Sequence, residues 1–270
     1  MKLTKDILPL HFTLASPKNS HYKVITNTFD FIDNNSDSLV VTIGDSWTWG
    51  SDISIDDNED IRLSCVYGRL ISDKLGSDWF NLSQPGAGNF WIADRAEELS
   101  KIIPQLEYKK IIVVCTLTEI GRSFDSHHDR YIDYHSWFKN NDYNNFLEFL
   151  NKECINRIIK AIDEKTQLRI GTNFVDPIGF DDTEIYLKKS WLDCITPTTD
   201  VCYVATHGID HLDNAREFFQ SQTDFLTWSS NLITLANKRL TVLSDQRYFR
   251  SAHPLKDGHE IWSNYILKSL

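Results

Sequence analysis

The chain has 270 residues, a formal net charge of −10 and a hydrophobic fraction of 41%. That length suits one large α/β domain, and no linker-like or repetitive stretch divides it, so we predict a single domain over residues 1–270. Acidic and basic residues are mixed along the chain, and the net acidity argues against a nucleic-acid role, because a nucleic-acid backbone requires a basic surface.

The cysteines and the first residues of the chain favour a reducing, cytoplasmic compartment. Five cysteines are scattered along the chain and form no Cys-x-x-Cys pair, which favours free thiols in a reducing compartment over disulfides or a zinc site. No apolar signal segment follows Met1, and no run of 18 apolar residues occurs. We therefore expect a cytoplasmic protein without a membrane partner. Its oligomeric state is unknown from the sequence.

Strand-like and helix-like stretches alternate along the chain. Short β-branched runs predict strands, and apolar positions at helical spacing predict helices. In chain order, we predict a strand at 38–44, a helix at 61–75, a strand at 79–82, a helix at 90–103, a strand at 109–116, a helix at 144–164, a strand at 168–174, an extra strand at 200–205, a helix at 225–238, a strand at 239–243 and a helix at 258–270. This alternation predicts an α/β fold with a parallel sheet covered by helices on both faces. Such folds bind ligands beyond the carboxyl ends of their strands.

The turn Gly44-Asp45-Ser46 follows the first predicted strand. A serine in a tight turn at this place exposes its hydroxyl and leaves a backbone N–H for a developing oxyanion. Asp and Ser are also good helix N-cap residues, so an ordinary capped turn explains the tripeptide about as well.

Two further loops at strand ends carry a glycine and a histidine. Gly86 lies in the loop 81–89, where its amide can approach a substrate oxygen because no Cβ blocks it, although relief of strain in a turn is an alternative. His253 and Pro254 precede the C-terminal helix, where an imidazole is well placed to act as a general base. A lone loop histidine is more often a surface residue. Three such features at three strand ends favour a serine-dependent site.

These blocks resemble those of the GDSL, or SGNH, hydrolase superfamily. The family's Gly-Asp-Ser turn is matched by residues 44–46, its second-block glycine by Gly86, and its His-Pro element by His253. The resemblance implies a flavodoxin-like three-layer α/β/α sandwich with a mostly parallel central sheet. It also implies hydrolysis or transfer of acyl esters by Ser46 and His253.

The third block departs from the family. The family has Gly-x-Asn-Asp there, and its Asn completes the oxyanion hole, whereas this chain has Thr116-Leu117-Thr118-Glu119. By resemblance, the oxyanion donors are then the amides of Ser46 and Gly86, with the Thr118 hydroxyl in place of the Asn side chain.

The last block departs more seriously. The family's triad Asp stands three residues before the His, and Arg250 occupies that position here. An arginine cannot accept a hydrogen bond from an imidazole. Three explanations remain open: a Ser–His dyad held by a backbone carbonyl, an acid from elsewhere, or a degenerate site that only binds. The acids considered for the second explanation are Asp245, Asp257, Glu119 and Asp210.

Aromatic and polar residues near these loops are candidates for substrate binding. Trp47 and Trp49 offer faces for stacking on a sugar or packing on an acyl chain, with core packing as the alternative. Asn89, at the end of the glycine loop, is a further candidate. Arg122 either pairs with Glu119 or binds a substrate carboxylate or phosphate.

Two groups of His and Asp residues are candidates for metal ligands. They are His127, His128 and Asp129, and His207, Asp210 and His211. Surface or helix-capping roles are more frequent for such groups, so we predict no metal and no cofactor.

The sequence as a whole predicts a serine-dependent esterase. It would hydrolyse a small or carbohydrate-linked acyl ester, of the acetyl type, through an acyl-enzyme. One alternative is an acyltransferase that uses the same Ser/His site. The other is a catalytically degenerate domain that binds glycans or partners.

Overall fold

A computed structural model describes residues 29–54, 58–118, 143–173, 183–195, 249–250 and 253–270. The strands in these ranges are β1 (Asp30–Ile32), β2 (Ser38–Ile43), β3 (Asp78–Asn81), β4 (Lys110–Leu117), β5 (Gln167–Thr172), β6 (Phe249–Arg250) and β7 (His253–Pro254). The helices are α1 (Ser46–Trp49), α2 (Glu59–Cys65), α3 (Tyr67–Leu75), α4 (Asn89–Ile102), α5 (Tyr143–Ala161), α6 (Trp191–Ile195) and α7 (Lys256–Leu267), with a 3₁₀ turn at Ile103–Gln105.

The central sheet has five strands in the order β1-β3-β2-β4-β5. Strands β3, β2, β4 and β5 are parallel, and β1 pairs antiparallel with β3 at the edge. The parallel strands lie in the order second-first-third-fourth, which is the flavodoxin-like order. The predicted α/β fold with a mostly parallel sheet is thereby confirmed.

The sheet is covered on both faces because its central strands are apolar on both sides. On β2, Leu39, Val41 and Ile43 face a core shared with α4 and α5. Val40 faces the opposite core, to which α3, α6 and α7 contribute. The result is three layers, with the carboxyl ends of the parallel strands at one edge.

Several element boundaries differ from the predicted ones. The predicted helix 61–75 is divided at Val66, whose ψ of 142° ends α2 and begins α3. Gly76 ends α3 in the left-handed conformation, as expected of a helix stop. Strands β1, β6 and β7 and helices α1 and α6 were not predicted, because elements of two to five residues show no periodicity.

Other predictions concern parts of the chain that the structure does not describe. The elements expected at 200–205, 225–238 and 239–243 lie outside the described residues. The single-domain interpretation stays a prediction. In the described ranges, no helix combines the length and the apolar character that crossing a membrane requires.

Candidate active site

Ser46 is the first residue of α1, which begins immediately after β2. Asp45 caps this helix, because its Oδ1 accepts a hydrogen bond of 2.9 Å from the Trp47 N–H. Glycine is required at position 44, where a Cβ would lie 2.1 Å from Thr48 Oγ1 and 3.1 Å from the Thr116 carbonyl oxygen. Close packing of the turn against Thr48 and β4 therefore explains the glycine, and capping of α1 explains the aspartate.

The Asp45 carboxylate ties this turn to the ends of two further strands. It is 1% exposed. Besides Trp47, it accepts hydrogen bonds from Thr118 Oγ1 at 2.7 Å and from Asn173 Nδ2 at 3.0 Å. Hydrogen bonds to a charged acceptor are stronger than those between neutral groups, so these bonds fix the backbone of Ser46 relative to β4 and β5.

The Thr118 hydroxyl is not an oxyanion donor in this arrangement. A hydroxyl has one hydrogen to donate, and Thr118 donates it to Asp45. The side chain is also buried, at 3% exposure. The predicted role of Thr118 as an oxyanion donor is therefore wrong. Its hydroxyl instead stabilises the turn that carries Ser46 by donating to Asp45.

Replacing Thr118 by Val tests this role. The variant leaves the buried Asp45 carboxylate with one donor fewer, and we expect it to lower the free energy of unfolding by about 1–3 kcal/mol. Thr118→Ser keeps the hydroxyl and is the matched control. Urea unfolding of the three proteins measures the difference, and a Val variant as stable as wild type would contradict the role assigned to this bond.

His253 reaches Ser46 from the short hairpin β6–β7. In the hairpin, Phe249 pairs with Pro254 and Arg250 with His253. The Phe249 ring is 2% exposed and its centroid lies 5.8 Å from that of Trp47, so the hairpin packs on the turn that carries Ser46. His253 Nε2 lies 2.9 Å from Ser46 Oγ. The structure thus brings the two predicted catalytic side chains into hydrogen-bond contact.

The other ring nitrogen of His253 meets an acid that was not predicted. Asp52 Oδ2 lies 2.7 Å from His253 Nδ1. Asp52 follows Ser46 by six residues, and its φ of 62° is unusual for a residue other than glycine. The one sequence signal is Gly50, a helix stop that returns the chain towards the start of α1.

Of the four acids that the sequence predicts for this role, only Asp257 lies in the part of the chain that the structure describes. Asp257 is exposed in the first turn of α7. The acid in contact with His253 Nδ1 is Asp52 instead. The prediction of Asp257 is corrected accordingly. Asp245, Glu119 and Asp210 lie outside the described residues.

The loop after β3 continues alongside β2 and the Ser46 turn. The Leu82 N–H donates to the Thr42 carbonyl at 2.8 Å, and the Gln84 N–H donates to the Gly44 carbonyl at 3.1 Å. Gly86 follows with a φ of 80°, exposed and with no heavy atom within 4 Å of the position of a Cβ. The glycine loop is therefore held beside the Ser46 turn, and Gly86 faces open space.

The two tryptophans proposed for substrate contact differ in burial. Trp47 is 3% exposed, and its ring meets that of Trp191 edge-to-face at 5.4 Å, so it belongs to the core. Its predicted role in substrate binding is corrected. Trp49 is half-buried, and the Arg62 guanidinium lies 3.9 Å from its ring centroid. One face of Trp49 is thus covered by a cation.

Asn89 is a structural residue. It is fully buried, and its Oδ1 accepts a hydrogen bond of 2.8 Å from the Thr118 N–H. Its amide group donates to the Thr118 carbonyl and to Asn151 Oδ1. The prediction that Asn89 binds substrate is corrected, since it fixes the end of β4 against α4. Arg122 lies outside the described residues.

Trp47→Ala tests the assignment of Trp47 to the core. Removing a buried indole is expected to lower the free energy of unfolding by about 3–5 kcal/mol. Trp91→Ala is the matched control, because Trp91 is only half-buried, and it should cost clearly less. Denaturant unfolding compares the two variants. A Trp47→Ala protein no less stable than the control would contradict the core assignment.

His259, close in sequence to His253, has a structural role. It is fully buried, and its Nδ1 accepts a hydrogen bond of 3.1 Å from the Tyr67 N–H. Burial, assisted by repulsion from His253, lowers the pKa of His259 to about 3. The imidazole of His259 is therefore neutral at physiological pH, which suits its role as an acceptor.

The described residues contain no group of three or more His, Cys, Asp or Glu side chains arranged to hold a metal ion. The candidate ligands His127, His128, His207 and His211 lie outside those residues.

Comparisons with known proteins give distant structural similarities. No family model matches the chain, and no curated protein matches it. Among solved structures, the chain is similar to a member of the lipolytic G-D-S-L family from Veillonella parvula, with 12% identity and a TM-score of 0.38 over 86% of this chain and 97% of that one. It is similar to a lipase from a goat rumen metagenome, with 12% identity and a TM-score of 0.37 over 86% and 96%.

A third similarity is to a carbohydrate esterase with catalytic and non-catalytic binding functions. The identity is 13% and the TM-score 0.32, over 86% of this chain and 68% of that one. All three TM-scores lie below 0.5.

Proposed function

We propose that this chain is a serine-dependent ester hydrolase of the SGNH kind. The observation that carries the proposal is the contact of 2.9 Å between Ser46 Oγ and His253 Nε2, with the opposite ring nitrogen held by a carboxylate. A nucleophile within hydrogen-bond reach of a base, itself oriented by a third group, is the general arrangement of serine hydrolases. It supports catalysis over the degenerate, binding-only alternative.

The proposed first step forms an acyl-enzyme. Ser46 Oγ attacks the ester carbonyl carbon while its proton passes to His253 Nε2, and the carbonyl π electrons move to oxygen. When the tetrahedral intermediate collapses, the C–O bond to the alcohol breaks and His253 returns the proton to the leaving alkoxide. Water then repeats the sequence and releases the acid and free Ser46.

Two backbone amides are the proposed oxyanion donors. The N–H of Ser46 is the first of α1 and has no carbonyl one turn before it to bind. The N–H of Gly86 belongs to the loop that is fixed next to Gly44. Because the Thr118 hydroxyl donates to Asp45, Thr118 does not take the place of the family's Asn as a side-chain donor.

We propose a small acyl ester, such as an acetyl ester, as the substrate. The net charge of −10 suits a neutral substrate better than a polyanion. Of the two tryptophans considered for a sugar, Trp49 alone remains available, because Trp47 is buried. If the alcohol part of the ester is a sugar, the ring face of Trp49 that Arg62 does not cover is the surface proposed to stack on it.

A fluorophosphonate probe and a series of p-nitrophenyl esters test this function. The probe should form an adduct that mass spectrometry locates on Ser46. Of the esters, p-nitrophenyl acetate should be hydrolysed faster than the long-chain esters. Absence of both the adduct and hydrolysis would favour the binding-only domain. Loss of the acyl donor only when a sugar acceptor is present would identify a transferase.

A further inference from the structure

The loop that carries Asp52 turns back directly after α1. Gly50 ends the helix with a φ of 91°, and the N–H groups of Gly50 and Ser51 both donate to the Ser46 carbonyl, at 3.0 and 2.9 Å. Asp52 then adopts a φ of 62°. Left-handed conformations at residues other than glycine cost energy and cluster at functional sites. The carboxylate thereby returns to the side of α1 where His253 lies.

The buried side chain of Arg62 holds the backbone of this loop at Trp49. Arg62 Nη1 donates to the Trp49 carbonyl at 2.9 Å, and the guanidinium makes bonds of 2.8 and 2.7 Å to both carboxylate oxygens of Asp30. A Cβ on Gly50 would come within 2.3 Å of Val66, so the backbone packs closely there. The backbone at Trp49 and Gly50, two residues before Asp52, is therefore held by contacts within the protein.

The contact between Asp52 and His253 determines which nitrogen carries the proton. An ionised carboxylate only accepts hydrogen bonds, so the hydrogen of a neutral His253 must be on Nδ1. The lone pair of Nε2 then faces Ser46 Oγ. The side chains of Asp52 and His253 are 36% and 23% exposed. A pair with this much access to solvent adds little stability, which favours a functional explanation for the strained Asp52.

We infer that Asp52 is the positioning residue of this site, in place of the missing acid at position 250. The inference rests on the proposed function. Asp52 holds the tautomer and orientation of His253 in which Nε2 accepts the Ser46 proton, and it stabilises the imidazolium that forms. The nucleophile and the positioning acid then share the segment 46–52, and only His253 comes from the C-terminal hairpin.

Asp52→Asn tests the inference, with Asp257→Asn as the matched control. Asn has the size of Asp and tolerates a positive φ, so the loop is expected to keep its fold. On p-nitrophenyl acetate, we expect kcat of Asp52→Asn to fall by roughly 10³- to 10⁴-fold with KM changed less than about threefold. Asp257→Asn should stay within about twofold of wild type, since its side chain is exposed and the partner of His253 Nδ1 is Asp52.

A spectroscopic measurement separates positioning from stability and from turnover. ¹⁵N NMR of His253 should show the Nδ1–H tautomer in wild type and Asp257→Asn, and a mixture of tautomers in Asp52→Asn. An unchanged tautomer, or an unchanged kcat in an active enzyme, would overturn the inference. If wild type neither hydrolyses esters nor reacts with the fluorophosphonate, the proposed function fails. The tautomers of wild type and Asp52→Asn still decide whether Asp52 positions His253.

Discussion

Replacing Ser46 by Ala is expected to lower kcat for ester hydrolysis by roughly 10⁶-fold, the loss seen when the nucleophile of a serine hydrolase is removed. The variant lacks the atom that forms the acyl-enzyme in the proposed mechanism, while the backbone N–H of residue 46 is kept. Initial rates on p-nitrophenyl acetate measure the effect, and the fluorophosphonate adduct should disappear with it.

Ser51→Ala is the matched control for Ser46→Ala. Ser51 lies in the same turn, and its N–H donates to the Ser46 carbonyl, a bond that the substitution keeps. This variant should retain wild-type activity, and the fluorophosphonate should still form its adduct on Ser46. Hydrolysis that persists in Ser46→Ala at a rate comparable to Ser51→Ala would remove Ser46 from the mechanism.

His253→Ala is expected to lower kcat by a similar factor, about 10⁵- to 10⁶-fold, because a Ser hydroxyl without its base is a poor nucleophile at neutral pH. The imidazole side chain is 23% exposed, so its removal leaves a site that solutes can enter. Free imidazole added to the variant should therefore restore part of the activity, measured as a rate that rises with imidazole concentration.

The rescue experiment distinguishes a general base from a structural contact. Imidazole should have no effect on Ser46→Ala, which keeps His253 and lacks the nucleophile. A His253→Ala enzyme that retains more than about a tenth of wild-type kcat would contradict the role of His253, since a positioned general base contributes at least about 100-fold. A lower kcat caused by unfolding is recognised by a lower thermal midpoint and by the absence of rescue.

Local sequence was sufficient for most of the described sheet. Strands β2 and β4 are continuous apolar runs because helices cover both of their faces, so composition alone marks them. Gly44 was recognisable as a turn residue, and the structure adds the reason, a Cβ that would meet Thr48. Strand β1 was not recognisable, because three residues at a sheet edge show no period.

The chemical roles of single side chains were less predictable. Trp47 and Trp49 are two residues apart, yet one is in the core and the other is half-exposed beside Arg62. Thr118 and Asn89 stand in predicted site loops, but each directs its polar groups towards other protein groups. Which partner a short polar side chain finds depends on residues brought close by the sheet, and no local pattern contains that information.

For this protein, the sequence by itself determined the alternation of strands β2 to β5 with helices, the turn that presents Ser46, and a histidine in the segment before the last helix. These follow from hydrophobic periodicity and turn chemistry, which act between near neighbours in the chain. Only the tertiary structure decided that His253 contacts Ser46 across 207 positions, and that Asp52 reaches the same ring across 201. Such contacts depend on how the hairpin packs on Trp47 and how Arg62 holds the loop, and both are properties of the folded chain.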